Sequence, residues 1–321
     1  MNLPTLYRII GACLLAVTTV SARAQYPDKP LTIVVPFAAA SGTDQLARAL
    51  AQAITTDTKA TVIVDNKAGA SGMIAATYVA HAAPDGYTLL LTGTTTHSAN
   101  EHLFKKLPYD PVKDFVPVST IATNAQIMLV RADSPYQTVA EFVAAARRQP
   151  GKLNFGSASS SARVAAELLM QISGINMVHV PYKSSPQVVL DLLAGRLDMF
   201  MGDPLTGNTF IKSGKLRALG VTGKTRMPLL PGVPTIAEAG VPGFEISSWY
   251  GIYLPAGAPQ PVVRRLNAIL AKAARSDVVS ALFVSTGLEL LTSTPEELAR
   301  YQAEETMKWG RIVKAARIEP E

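Results

Sequence analysis

Residues 31–50 read LTIVVPFAAASGTDQLARAL. A five-residue apolar run, Leu31–Val35, predicts a strand buried on both faces. Pro36 ends it, small residues follow as far as Thr43, and a helical pattern starts at Asp44. Leu46, Leu50 and Ile54 share one face of that helix with Ala47. A strand that turns through small residues into a helix is the unit of an α/β fold. The leading N–H groups of such a helix have no partner within it and lie at the positive end of its dipole. They can stabilise an anion. From the residues alone, the loop reads either as that site or as an ordinary turn capped by Ser41 or Thr43.

The same grammar repeats along the chain. Strands are predicted at 61–65, 87–92, 127–130, 153–156, 177–180, 198–201, 216–221 and 250–254, with helices between them. Thr138 with Glu141, and Thr294 with Glu297 behind Pro295, predict capping boxes. Short crossings are expected near 120–127 and 243–250. The expected fold is α/β with two lobes and mainly parallel sheets, a type II-like binding-protein architecture with a ligand cleft between the lobes. Lobe 1 is assigned to residues 25–125 and 247–321, and lobe 2 to residues 126–246. No internal repeat is visible.

The chain has 321 residues, of which 48% are hydrophobic and 17% charged, an ordinary globular composition. Its first 24 residues read as a cleaved secretory signal. Arg8 precedes the apolar run IIGACLLAVTTV, and Ala22 and Ala24 form an A-x-A site before Gln25. That run of 12 residues is shorter than the ~20 that span a bilayer. Cys13 is the only cysteine, so the mature chain offers no disulfide, Cys-ligated zinc or cysteine nucleophile. Loss of Arg8 and Arg23 takes the formal charge from +6 to +4. No basic helix with interleaved aromatics suggests nucleic-acid binding. His81, His97, His102 and His179 show no metal-binding spacing, and no G-x-S-x-G elbow is present. No cofactor, metal or catalytic residue is expected.

Four further polar loops follow predicted strands. GSASSSAR carries Ser157, Ser159, Ser160 and Ser161 ahead of Arg163, a cation placed in the first turn of a helix. TGTTTH carries Thr94, Thr95 and His97; PYKSS carries Tyr182 and Lys183; MGDP carries Asp203. Arg163 reads as a bidentate partner for a carboxylate or as a surface arginine. Trp249 and Tyr250 read as cleft walls or as core aromatics. Together the loops outline a polar cleft at strand C-termini.

YPDKPLTIVVPFAAASGTD, VDNKAGASG, AAPDGYTLLL, VHVPYK, GKLRALGVT, VPTIAEAGVPGFE and SWYGIYLPAGAP occur in that order. Together with the leader they closely resemble the Bug-type periplasmic receptors of tripartite tricarboxylate transporters. The resemblance spans the chain from Gln25 onward. It implies two lobes joined by two crossing segments, a small organic-acid ligand in the cleft, delivery to a membrane permease, and a monomer in the periplasm. The family's carboxylate clamp maps onto Phe37, Ala38, Ser41, Gly42 and Asp44, then Thr94, Thr95 and His97, Ser157 and Ser159–Ser161, and Asp203. The family's first loop usually reads PFxPGGxxD, where this chain has Ala39, Ala40 and Ser41. The second loop is about two residues shorter than usual. Arg163 replaces a common histidine, Ser184 stands at a usual glycine, and Asp203 is offset by one from the family's aspartate. The competing reading is a secreted α/β hydrolase with a cleft serine, resting only on the serine-rich loop and the exported context.

Overall fold

The computed structural model describes residues 26–316 and 318–320; the predicted signal segment lies outside them. In chain order the strands are β1 (Leu31–Val35), β2 (Val62–Asn66), β3 (Thr88–Gly93), β4 (Phe115–Ala125), β5 (Ile127–Arg131), β6 (Asn154–Ser157), β7 (Val178–Pro181), β8 (Met199–Gly202), β9 (Leu216–Val221), β10 (Ser247–Pro255) and β11 (Glu289–Leu290). They form two sheets, ordered β11-β4-β10-β3-β1-β2 and β7-β6-β8-β5-β9.

The apolar run of β1 is explained by cover on both faces. Leu31, Ile33 and Val35 pack with Leu46, Leu50 and Ile54 of the helix Gly42–Thr58, while Val34 packs with Ala75, Ala76 and Val79 on the other side. Leu46, Leu50 and Ile54 are fully buried, and each such side chain contributes roughly 1.5–3 kcal/mol.

The sheets are mixed, which corrects the mainly parallel expectation. β1 is parallel to β2 and β3, and β6 to β7 and β8, but β10 is antiparallel to β3 and β4, and β5 to β8 and β9. Helical crossovers return the chain to the same end of a sheet and so generate parallel pairs. A strand arriving from the other sheet enters at the opposite end. β4 leaves the first sheet at Ala125, and after Gln126 the chain continues as β5 of the second. β9 leaves the second sheet at Val221, and β10 enters the first at Ser247. The C-terminal ends of β1, β3, β6 and β8 consequently face one another across the cleft.

The helix Pro295–Ala315 joins the two cores. Leu298 packs in a cluster of the first sheet, whereas Trp309 and Val313 pack with Phe142, Phe155 and Leu169 of the second. Its capping box is complete: Thr294 Oγ1 accepts from the Glu297 N–H, and Glu297 accepts from the Thr294 N–H. The other box closes differently. Thr138 accepts from the Glu141 N–H, but the Glu141 carboxylate reaches the Gln137 N–H instead of that of Thr138. Among the described residues no helix is long and apolar enough to cross a membrane.

Candidate functional site: the cleft between the sheets

The loop after β1 is held from within. Ser41 caps the helix Gly42–Thr58 by accepting from the Asp44 N–H. Asp44 is buried, which alone would raise its pKa. Hydrogen bonds from Arg48 Nε (3.0 Å), the Ala40 N–H (2.9 Å) and Asn66 Nδ2 (3.0 Å) outweigh burial and hold the carboxyl below its ordinary value. Asp44 thus shapes the loop and lines no cavity of the cleft. Ala40, one of three residues standing in for the Pro-Gly-Gly of the motif the sequence resembles, takes φ = +63°. Its N–H donates to Asp44 Oδ2 from a left-handed backbone conformation that favours glycine.

Two helices enter the cleft from opposite sheets. Ser41 caps one, and Ser159 caps the helix Ser160–Ser173 by accepting from the Ala162 N–H. Between their starts lies an inner cavity of about 60 Å³. Phe37, Ser41, Gly42, Thr94, Thr95, Ser159, Ser161 and Asp203 line it, as do Trp249 and Tyr250. A second, outer compartment of about 460 Å³ is lined by Phe37, Ser157, Ser159, Ser160, Arg163, Tyr182 and Lys183 among others. Phe37 and Ser159 belong to both.

Asp203 follows β8 and caps the helix Pro204–Lys212 through Oδ1, which accepts from the Leu205 N–H at 2.9 Å. Its Oδ2 accepts from Tyr250 OH and from Asn124 Nδ2. Burial pushes the Asp203 carboxyl above its ordinary range despite these bonds, and burial pushes the Tyr250 phenol up as well. The sheets also meet where Ser160 Oγ donates to Asn100 Oδ1 (2.7 Å) and where Gln45 Nε2 donates to the Leu205 carbonyl (3.1 Å).

Three expected positions lie away from both compartments. Ala38 and Asp44 belong to the first loop but line neither cavity. His97 sits fully buried in a π-helical turn, Thr95–Ala99, with its ring 4.1 Å from that of Tyr253 and 4.7 Å from that of Phe115. Burial pushes its pKa down to about 3, so it is a neutral core group. Residues without a local motif fill the remaining positions. Gln126, in the first crossing, and Ser248, in β10, line the inner cavity. Gly93 lets β10 approach: a Cβ there would lie 1.9 Å from the Trp249 carbonyl oxygen. In the outer compartment Ser157 Oγ lies 2.7 Å from His179 Nε2, whose ring stacks on Phe155 at 5.1 Å. Among the described residues no cluster of His, Cys, Asp and Glu could hold a metal.

Residues 46–318 match the model of the family described as "Tripartite tricarboxylate transporter family receptor". A protein of Pseudomonas sp. strain P51, encoded between tcbD and tcbE, is 40% identical over 319 residues, covering 97% of this chain and 94% of its own. Two solved structures share the fold over 92% of this chain and all of theirs. One is Rpa4515 of R. palustris with adipate (34% identity, TM-score 0.89) and the other the periplasmic binding protein BugD (32%, TM-score 0.88). The two mixed sheets, the paired crossings and this cleft are therefore those of a solute-binding receptor and not of an enzyme: the chain belongs to the receptor family of the tripartite tricarboxylate transporters.

Proposed function

We propose that the cleft captures a small organic acid by its carboxylate and that the loaded receptor delivers it to the membrane permease of its transporter. The observation that carries this reading is the meeting of two capped helix starts, from opposite sheets, at one hydroxyl-lined cavity. N–H groups at helix starts and hydroxyls from Thr94, Thr95, Ser159 and Ser161 supply donors to an anion without requiring a buried cation. That Rpa4515 was solved with adipate supports a carboxylate ligand.

The proposed mature protein begins at Gln25, after cleavage behind Ala24, and works as a periplasmic monomer. Sheet membership supports lobes at 25–125 with 247–321 and at 126–246. The Pro295–Ala315 helix packs on both cores and links them behind the cleft. Ligand binding favours the arrangement in which the sheets touch through Ser160–Asn100 and Gln45–Leu205.

The test is a thermal-shift screen of the mature chain against mono-, di- and tricarboxylates, aromatic acids and amino acids. A specific ligand at about 100 times its Kd stabilises by about 2.7 kcal/mol. Stabilisation by no carboxylate would end this reading, and turnover of a hit would restore the hydrolase alternative.

A further inference from the structure

Asp203 is the one carboxylate among the residues lining the inner compartment, and it reaches that wall from the second sheet. Its Oδ1 lies against Gly42, the first residue of the facing helix: a methyl built there would sit 2.7 Å away. The proposed ligand carboxylate occupies the same helix start. With about 60 Å³ available, an anion bound there lies within the few ångströms over which two carboxylates control each other's ionisation.

No full positive charge is at hand for two anions. No Lys, Arg or His lines the inner compartment, and Tyr250, kept neutral by burial, is the only other titratable group that does. The elements packed around Asp203 bring no cation either. Asn124 of β4 offers an amide. On the helix Gly42–Thr58, Asp44 and Arg48 are bonded to each other and line neither compartment. His97, in the turn after β3, is held neutral by burial. Arg163, paired with Glu167 on the helix Ser160–Ser173, and Lys183, ahead of the helix Ser185–Leu193, line the outer compartment only. What remains is helix dipole. Each helix start supplies about half a positive charge, so the two aimed into the cavity match one carboxylate and not two. The start of Pro204–Lys212 already faces Asp203 Oδ1 through the Leu205 N–H, and burial keeps that carboxyl above its ordinary range nonetheless.

We propose that the inner compartment binds its ligand together with one proton, drawn from solvent and shared between Asp203 and the ligand carboxyl. The bound pair then carries one negative charge, which the two helix starts balance. This rests on the carboxylate-receptor reading above and adds that Asp203 sets how affinity varies with pH. A proton taken up on binding makes affinity fall as pH rises, by up to about tenfold per pH unit. The decline starts where Asp203 of the free receptor ionises. It stops where the proton leaves the pair, a property of the two carboxyls jointly. Capture is favoured on the acidic side of that window and release on the alkaline side.

The experiment is calorimetric titration with adipate between about pH 6.5 and 9, where both of its carboxyls are ionised in solution. Each point is repeated in two buffers of different ionisation enthalpy, so that the heat reports protons taken from the buffer. The parent should take up close to one proton per ligand in the steepest part of the range, and its Kd should rise at least about tenfold across it. Asp203→Asn keeps the side-chain shape and the acceptor for the Leu205 N–H but carries no charge. Its Kd should vary by less than about twofold over the same range, and it should bind more tightly than the parent at the alkaline end. Heat independent of buffer, with a flat Kd in the parent, would overturn the proposal whether or not the variant folds. A slope that persists in Asp203→Asn would place the proton elsewhere, as on His179 of the outer compartment, and overturn it too. In both cases adipate still binds and the receptor reading stands. If adipate does not bind, the tightest carboxylate of the thermal-shift screen takes its place; if none binds at any pH, both readings fail.

Discussion

Gly42 and Asp203 touch across the cleft. A methyl group built on Gly42 would lie 2.7 Å from Asp203 Oδ1 and 2.9 Å from its Cγ. The carboxylate cannot swing away freely, because the Leu205 N–H, Asn124 Nδ2 and Tyr250 OH hold both of its oxygens. This approach of the two sheets therefore depends on the absence of a side chain at position 42.

Gly42→Ala should wedge the sheets apart. Overpacking of a tight contact costs about 1–3 kcal/mol, so ligand affinity should fall about fivefold to a hundredfold. Isothermal titration of parent and variant with the same carboxylate tests this. The double variant Gly42→Ala/Asp203→Ala should recover part of the loss, since it removes the atoms the methyl would strike. Unchanged affinity in the single variant would show that the contact does not control closure.

Ala40 offers the opposite experiment. A non-glycine residue in the left-handed region costs about 1–2 kcal/mol, and glycine's extra chain entropy takes back roughly 0.5–1 kcal/mol. Ala40→Gly should leave stability equal or raise it by up to about 1.5 kcal/mol in urea unfolding. A clear loss of stability would mean that the turn accommodates alanine without strain.

Asp44 holds the loop by accepting from the Ala40 N–H and Asn66 Nδ2, with its side chain only 3% exposed. Asp44→Asn should destabilise by about 1.5–3 kcal/mol, mainly through those buried partners. The contribution of Arg48 is discounted because its side chain is 56% exposed. Since the folded-state pKa is lowered, the unfolded chain takes up the proton first on acidification. The stabilisation from Asp44 is present above the ordinary carboxylate range and is lost as pH falls below about 4. The variant should therefore show a flatter stability profile in that range, read by urea unfolding at a series of pH values.

His97 acts in a higher window. Its pKa falls from 6.5 to about 3 on folding, so between those values only the unfolded chain binds its proton. Stability should decline as pH drops, by about 1.4 kcal/mol per pH unit for this one group near pH 5. His97→Gln removes the titration, and its profile between pH 6.5 and 4 should be shallower by about one proton. Parallel profiles would show that His97 is not held neutral in the fold.

Local patterns carried the α/β units. Leu31–Val35 and Leu216–Val221 coincide with β1 and β9 residue for residue, and the Thr294–Glu297 box forms as expected. These features are encoded within a few residues by apolar runs, caps and turn chemistry. The strand β4 was not legible. Phe115–Ala125 contains Pro117 and a polar stretch, and a proline within a central strand argues against one. It forms because β10 and β11 flank it, with register shifts along the β10 pairing accommodating the irregular stretch. Its partners lie more than a hundred residues away.

The same division holds at the cleft. Ser41 was visible as a candidate cap, and Ser159 and Asp203 as polar residues of loops between strands and helices, because strand–loop–helix units are local. Which of the loop residues face the ligand was not visible. The sequence placed His97 beside Thr94 and Thr95, yet the π-helical turn sends its ring into the aromatic core while the two threonines stay in the cavity. Sequence alone determined the repeated strand–loop–helix units and, through many short motifs in order, the family. Only the tertiary structure decided that Gly42, Asn124, Asp203 and Tyr250 would converge, because non-local strand pairing and the two crossings bring them together, and no local periodicity records that encounter.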